Sequence, residues 1–289
     1  MKDTNDPLSK LTQEFIEDLR KKSRSPSTIL AYGSDLQQLA EFLAHRNINY
    51  TEDVKVQDLE GFRDHLLAHK YTPKSTSRKL NAVKTFFRWL KDEGHVGEDV
   101  SGGVQHPEIH APEPSFLSPI EYRALRDTAR TEPRVAAIIE LILQTGMRIS
   151  EVSNLKLASV TKDLVTIEAY ATQPERQVPL NTPAREAIER YLRERDNTDS
   201  PYLFVSKSGK PLAVRNIRAS IDKYLKRASL SEYSVNDLRN TFIIESLKRG
   251  VDLVTVSQAA GHKRLSTTER YLAIAGVHEP GKKQFLEDL

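Results

Sequence analysis

No cysteine stands anywhere in the 289 residues, and that absence excludes disulfide scaffolds, thiolate metal sites and cysteine nucleophiles. It fits a reducing compartment. Long apolar runs are missing too: nowhere do eighteen apolar residues follow one another, and the opening stretch MKDTNDPLSKLTQEF is polar, without the apolar core of a signal peptide. The expectation is a cytoplasmic protein with no membrane span. There is no Walker loop and no obvious acidic metal cluster, and the eight histidines show no metal-ligand spacing. His65 and His69 form an i,i+4 pair, but nothing downstream completes a site, so neither a metal nor another cofactor is expected.

What is present suffices for two domains with separate cores, since apolar residues make up 38% and charged residues 29% of a chain of this length. A net charge of +3 permits nucleic-acid binding without demanding it, so the placement of the charges must decide. One region is conspicuous for what it omits. Residues 71–91 contain no Asp or Glu, while Leu80, Val83, Phe87 and Leu90 mark one face of a helix and Lys74, Arg78, Asn81, Lys84, Arg88 and Lys91 mark another. A merely solvated helix normally carries i,i+4 acidic partners. Their absence favours phosphate contact by Lys74, Arg78, Lys84 and Arg88.

The first hundred residues read as wholly helical. Ser25-Pro26 is a cap followed by a proline start, and Ile29, Tyr32, Leu36, Leu39 and Phe42 then recur at helical spacing. Val56, Leu59, Phe62 and Leu66 form a second stripe. From Ser101 to Pro114 the text becomes SGGVQHPEIHAPEP, poor in apolar periodicity, which reads as a linker. The expected division is a helical domain over 1–104, a linker over 105–115 and a second domain over 116–289. Ser118-Pro119 opens a helix, RVAAIIELILQT over 134–145 is the natural central helix of the second core, and it stops at Gly146. LVTIEAYA and ERQVPL then alternate as the strands of a hairpin, after which helical patterns return from Val214 onward.

Three segments of the second domain hold residues of chemical interest. Arg148 follows the break at Gly146 and stands at a helix junction; its ordinary reading is a surface arginine lying over the core. Arg239 lies in SVNDLRNTFIIESL, where pairing with Asp237 or Glu245 would explain it. Tyr271 lies nine residues beyond His262 in AAGHKRLSTTERY, where Ser266 and Glu269 form an S-x-x-E capping box that predicts a helix from Thr267 with Tyr271 in its second turn. A tyrosine so placed ordinarily packs its ring and leaves its hydroxyl at the surface.

Taken together, the three segments resemble the boxes of the tyrosine recombinases, the phage-integrase and Xer-like enzymes that cut and rejoin DNA. TGMRISEVSNL resembles the first arginine box, DLRNTF the second, and AAGHKRLSTTERY the histidine and tyrosine box; the helical first domain is similar to the family's core-binding domain. The resemblance implies a mainly α fold with a small antiparallel sheet in the catalytic domain, arranged as a two-domain C-shaped clamp on double-stranded DNA. It implies site-specific recombination through a 3′-phosphotyrosyl link, with Tyr271 as nucleophile, Arg148 and Arg239 stabilising the phosphate charge, His262 donating to the same phosphate and Glu151 bracing the site. It further implies a homo-tetramer on paired sites, a partner recombinase in some systems, and a C-terminal tail containing Phe285, Leu286 and Leu289 that docks on a neighbour. Arg215 and Arg218 are further candidate DNA contacts in the second domain.

The match departs in two places. The family carries a lysine on the hairpin, in a loop like G-K-G-x-K-E-R, to protonate the departing oxygen; here Ala171 holds that place. Where the second box begins with histidine or lysine, Asn236 stands, a hydrogen-bonding group that carries no proton at neutral pH. Arg176 is too basic to donate a proton well, and Lys162, Lys207 and Lys210 are substitutes from expected loops. Two other readings accommodate these departures: a DNA-binding accessory factor that clamps without cutting, and a type IB topoisomerase-like activity.

Overall fold

The structure, a computed structural model, is described for residues 7–109, 113–169, 173–195 and 199–276. It is mainly helical with a small antiparallel sheet, and it divides into two compact units, Met1–Ala111 and Pro112–Leu289. Among the described residues no helix is long and apolar enough to cross a membrane.

The first unit is built from α1 (Leu8–Lys21), α2 (Pro26–Ala44), α3 (Val56–Ala68) and α4 (Pro73–Asp92). Local signals set their starts. Ser25 caps α2 by accepting from the Thr28 amide, with Pro26 at the first helical position, and Thr72 caps α4 in the same way through the Ser75 amide. Leu36, Leu39, Phe42, Leu59, Phe62, Leu66, Leu80, Val83, Phe87 and Leu90 are buried together with Phe15, Phe86 and Trp89. One expectation needs correction. Residues 101–104 are not free linker: Val100–Gly103 makes a 3₁₀ turn, Ser101 and Val104 are buried, and the Val104 carbonyl accepts from Lys84 at 2.7 Å.

The second unit opens with α5 (Pro119–Ala129), where Ser118 and Glu121 complete a reciprocal capping box. Next come α6 (Pro133–Thr145) and α7 (Ile149–Asn154). Nearly all of α6 is buried, and it ends at Gly146 in the left-handed conformation, φ 64°, where an added Cβ would collide with the Phe242 ring. Strands β1 (Leu164–Ile167) and β2 (Arg176–Pro179) form the hairpin, pairing Val165 with Val178 and Ile167 with Arg176. The chain then runs through α8 (Thr182–Glu194), α9 (Val214–Arg227), α10 (Val235–Lys248) and α11 (Leu253–Ala260) to two single turns, α12 (Ser266–Glu269) and α13 (Leu272–Ala275).

The last two turns correct the expected capping box. Leu265, not Ser266, stands at the cap of α12, no side chain closes it, and the helix ends at Glu269. Tyr271 therefore sits at the junction, as the cap residue of α13. Ala171 and the tail residues Phe285, Leu286 and Leu289 lie outside the described residues.

Candidate active site

The site is assembled where two helices end. The last carbonyls of a helix have no intrahelical donor and carry the negative end of its dipole, so cations gather there. At the end of α11, Arg176 Nε donates to the Ala259 carbonyl at 2.9 Å and Arg148 Nη2 to the Gly261 carbonyl at 2.7 Å. At the end of α6, Arg239 donates to the Gly146 carbonyl. Three guanidinium groups are thus seated on backbone oxygens from two helix termini, and one carboxylate serves two of them. Glu151 accepts from Arg176 through both oxygens, at 2.9 and 2.7 Å, and from Arg148 Nη1 at 3.2 Å, while also taking the Arg148 amide at 2.7 Å.

Gly261 is what lets these side chains close on α11. Its φ is 66°, and a Cβ there would lie 2.8 Å from Arg176 Cζ and 3.1 Å from Arg148 Nη1. Beside it, His262 Nδ1 is 2.7 Å from the buried Thr268 hydroxyl, and the His262 and Tyr271 rings lie nearly parallel, 11° apart in plane with centroids 6.3 Å apart. The Tyr271 ring is buried in the core of the unit, and its hydroxyl donates to Asn240 Oδ1 at 2.9 Å. An open cleft of about 660 Å³ adjoins the cluster, lined by Gln173–Gln177 on the hairpin side and by Gln258, Gly261, His262 and Lys263 opposite.

The electrostatics follow from three cations facing one carboxylate. Burial pushes Arg239 down to about 9, with the Arg148 and Arg176 charges adding to the effect, which still leaves it charged at neutral pH. His262 is pushed down to about 4 by burial and then by Arg239, Arg148, Arg176 and Arg270, so its imidazole is neutral. For Glu151 burial acts upward, but the hydrogen bonds and charge of Arg176, with those of Arg148, outweigh it and hold the carboxyl below its usual range. Burial raises the Tyr271 phenol, and the nearby Arg270 and Arg239 offset only part of that rise. The site is a patch of excess positive charge beside a protonated phenol.

Five of the six residues expected in this site, Arg148, Glu151, Arg239, His262 and Tyr271, are brought together. Asn236 is exposed in the first turn of α10. The ordinary pairing expected for Arg239 does not form: Asp237 is engaged by Ser115 and Ser234, and Glu245 by Lys248. Arg176 is the residue whose place was missed. Its signal was available, because Arg176 and Val178 share one face of an alternating strand and Val178 is buried. Asn240 and Thr268 gave no local signal.

The residues of the cationic helix are more varied. Lys74 and Arg88 are exposed. Arg78 makes a two-pronged contact with the buried Asp35 of α2, at 2.5 and 3.0 Å, and Lys79 reaches the same carboxylate at 2.9 Å. The acidic partner missing from residues 71–91 is therefore supplied from 43 residues away. Arg215 and Arg218 are exposed on α9. Of the lysines considered as proton donors, Lys162, Lys207 and Lys210 are exposed, and none of them lines the cleft, whereas Lys263 does.

Residues 115–277 match the phage integrase family, and residues 12–94 match the phage integrase N-terminal SAM-like domain. The chain is 31% identical over 278 residues to the tyrosine recombinase XerC of Oceanobacillus iheyensis, covering 91% of each protein. Against XerC of Staphylococcus epidermidis it is 29% identical over 281 residues, covering 93% of this chain and 94% of the relative. Among solved structures, a lambda integrase dimer bound to a COC′ core site superposes with a TM-score of 0.77 at 16% identity, covering 97% of this chain and 81% of that one. XerH site-specific recombinase bound to its palindromic difH substrate gives 0.74 at 19%, covering 90% and 80%. At such identities the structural likeness speaks to the fold alone. The sequence matches go further: the chain belongs to the phage integrase family, the tyrosine recombinases.

Proposed function

We propose that this chain is a site-specific DNA recombinase that cuts and rejoins strands through Tyr271. The observation that carries the reading is the meeting of Arg148, Arg176 and Arg239 around Gly261 and His262, beside the Tyr271 hydroxyl. In the step proposed, the Tyr271 oxygen bonds to a backbone phosphorus as its proton passes to water, the bond from phosphorus to the 5′ oxygen breaks and that oxygen takes a proton from water, leaving a 3′-phosphotyrosyl link and a free 5′ hydroxyl. The phosphate gathers negative charge as it becomes five-coordinate, and Arg148 and Arg239 answer it with fixed, forked donors. Neutral His262 accepts a hydrogen bond from the Thr268 hydroxyl at Nδ1 and donates one from Nε2 to a non-bridging oxygen. Glu151 and Arg176 brace the arginines. The bond energy is kept in the covalent link, so the proposal requires no cofactor.

Residues 1–104 serve as a DNA-binding domain, 105–115 as a linker and 116–289 as the catalytic domain, with double-stranded DNA as partner and four copies acting on paired sites. Lys74, Arg78, Lys84 and Arg88 contact phosphates from the first domain, Arg215 and Arg218 from the second. The departure at Ala171 slows the reaction without abolishing it, because a positioned acid is worth about 10² to 10⁴ in rate and the nucleophile and charge stabilisers supply the rest. A nicked suicide duplex carrying the chain's own site tests the reading. Wild type is expected to become trapped on DNA in a denaturing gel, and Tyr271→Phe is expected to give no trapped band; binding without trapping by the wild type would favour an accessory clamp instead.

A further inference from the structure

Tyr271 has one hydroxyl proton, and the structure shows where it goes: to Asn240 Oδ1 at 2.9 Å. The orientation of that amide is not free. Its nitrogen faces the Ser115 carbonyl at 2.9 Å and Asp237 Oδ1 at 3.3 Å, both of which only accept. Turning the amide over would set oxygen against oxygen at two places, so the nitrogen must point to Ser115 and Asp237 and the oxygen to Tyr271. Asp237 is anchored in turn, accepting from the Ser115 hydroxyl at 2.5 Å and from the Ser234 amide and hydroxyl at 2.7 and 2.8 Å. The segment before α5 is itself tied to α10, since the Leu117 amide donates to Thr241 Oγ1 at 2.8 Å. A chain of satisfied hydrogen bonds thus runs from Ser234 and Ser115 through Asp237 and Asn240 to the phenol.

We propose that Asn240 is a positioning residue, which holds the Tyr271 hydroxyl in one rotamer so that its lone pairs face the phosphorus. The inference rests on the recombinase reading of this site. A carboxamide oxygen accepts a hydrogen bond but takes no proton at neutral pH, so Asn240 aims the phenol without deprotonating it. Aim matters because in-line attack needs the oxygen within reach and opposite the leaving group, and a misplacement of about 1 Å costs on the order of 10²-fold. The buried ring fixes where the phenol sits, and the bond to Asn240 fixes which way its O–H turns.

The test compares wild type, Asn240→Ala and Asn240→Gln on the suicide duplex, with gel-shift binding and thermal melting measured alongside. Asn240→Ala is expected to slow covalent trapping by about 10²-fold with binding unchanged, and Asn240→Gln, which keeps the amide, is expected to recover part of the loss. A second duplex with sulfur in place of the 5′ bridging oxygen has a leaving group that needs no proton. The alanine defect should persist there; relief by sulfur would place Asn240 on the leaving-group side and overturn the inference. A tyrosine-selective NMR titration without DNA supplies a readout independent of cutting. Loss of an acceptor that favours the neutral phenol should move the Tyr271 titration downward in Asn240→Ala. If Asn240→Ala melts early, the Gln variant decides. Trapping by a folded variant at the wild-type rate or faster, or an unmoved titration, sinks the positioning role alone. A wild type that leaves the duplex uncut while binding it sinks the recombinase reading and this inference with it.

Discussion

Each unit buries a carboxylate between two cations, and only one of the two arrangements looks like a site. In the first unit Asp35 is held by Arg78 and Lys79; in the second Glu151 is held by Arg148 and Arg176. Around Asp35 the account ends there: one carboxylate holds two cations and ties α4 to α2, leaving a single excess charge. Around Glu151 a third guanidinium, Arg239, joins from α10, the ends of α6 and α11 supply carbonyls to seat the arginines, and a histidine and a tyrosine close the group. A buried carboxylate with two cations is thus a structural brace in itself. What distinguishes the second cluster is a third guanidinium beyond the brace, with the arginines seated on neutral carbonyls that do not cancel their charge and a histidine and a tyrosine alongside.

The largest contrast to test is stability. Removing either carboxylate leaves cations without their partner, so Asp35→Ala and Glu151→Ala should each cost about 3–5 kcal/mol, measured by denaturant unfolding of the full chain. The Glu151 contribution has a pH signature. Its folded carboxyl titrates below the usual range, so its stabilisation is complete above about pH 4.5 and is lost as pH falls through the folded value.

Next comes catalysis, where the units should part. Arg148→Ala or Arg239→Ala should remove about 3 kcal/mol of transition-state stabilisation, a hundredfold or more in trapping rate. Arg78→Ala should leave the rate constant on saturating DNA unchanged, because Arg78 is exposed on α4, where it contributes to binding and to the Asp35 brace and takes no part at the reacting phosphate. Equal losses from Arg78 and Arg239 would erase the distinction.

A smaller effect concerns His262. Held down to about 4 by burial and the arginines, it binds fewer protons than the unfolded chain, whose histidine titrates near 6.5. Stability should therefore rise with pH between about 4 and 6.5 and level off above, and His262→Asn should flatten that slope in a melting series. Bound DNA should weaken the same dependence, since a phosphate offsets the arginine charge.

The smallest expected change is in binding. Replacing Lys74 or Arg88, exposed on α4, should lower the salt dependence of affinity by about one unit of slope per lost phosphate contact. Replacing Lys84 should add a loss of stability to the same change in slope, because its ammonium also holds the Val104 carbonyl.

The parts of the fold that were legible are those governed by neighbours in sequence. Ser25-Pro26, Ser118-Pro119 and the stop at Gly146 each act through a group within four residues, and the alternation of Val165, Ile167 and Val178 needs only a strand to express it. The same grammar misled at Ser266: the chain is pinned there by the Thr268–His262 bond and by the buried Tyr271 ring, and this tertiary anchoring displaced the cap. The turn at residues 100–104 was hidden by its glycines, which read as linker although Ser101 and Val104 are buried.

The sequence alone determined which residues were available: a chain without cysteine, two helical regions, a hairpin, and an arginine, a second arginine and a histidine–tyrosine pair in that order. Tertiary structure decided what holds each of these groups in place. Asp35 claims Arg78, the end of α11 claims Arg148 and Arg176, and Asn240 claims the Tyr271 proton, each across dozens of residues. Such pairings leave no local mark because a guanidinium or carboxamide takes whichever acceptor folding brings within hydrogen-bond reach, and that depends on the packing of whole helices.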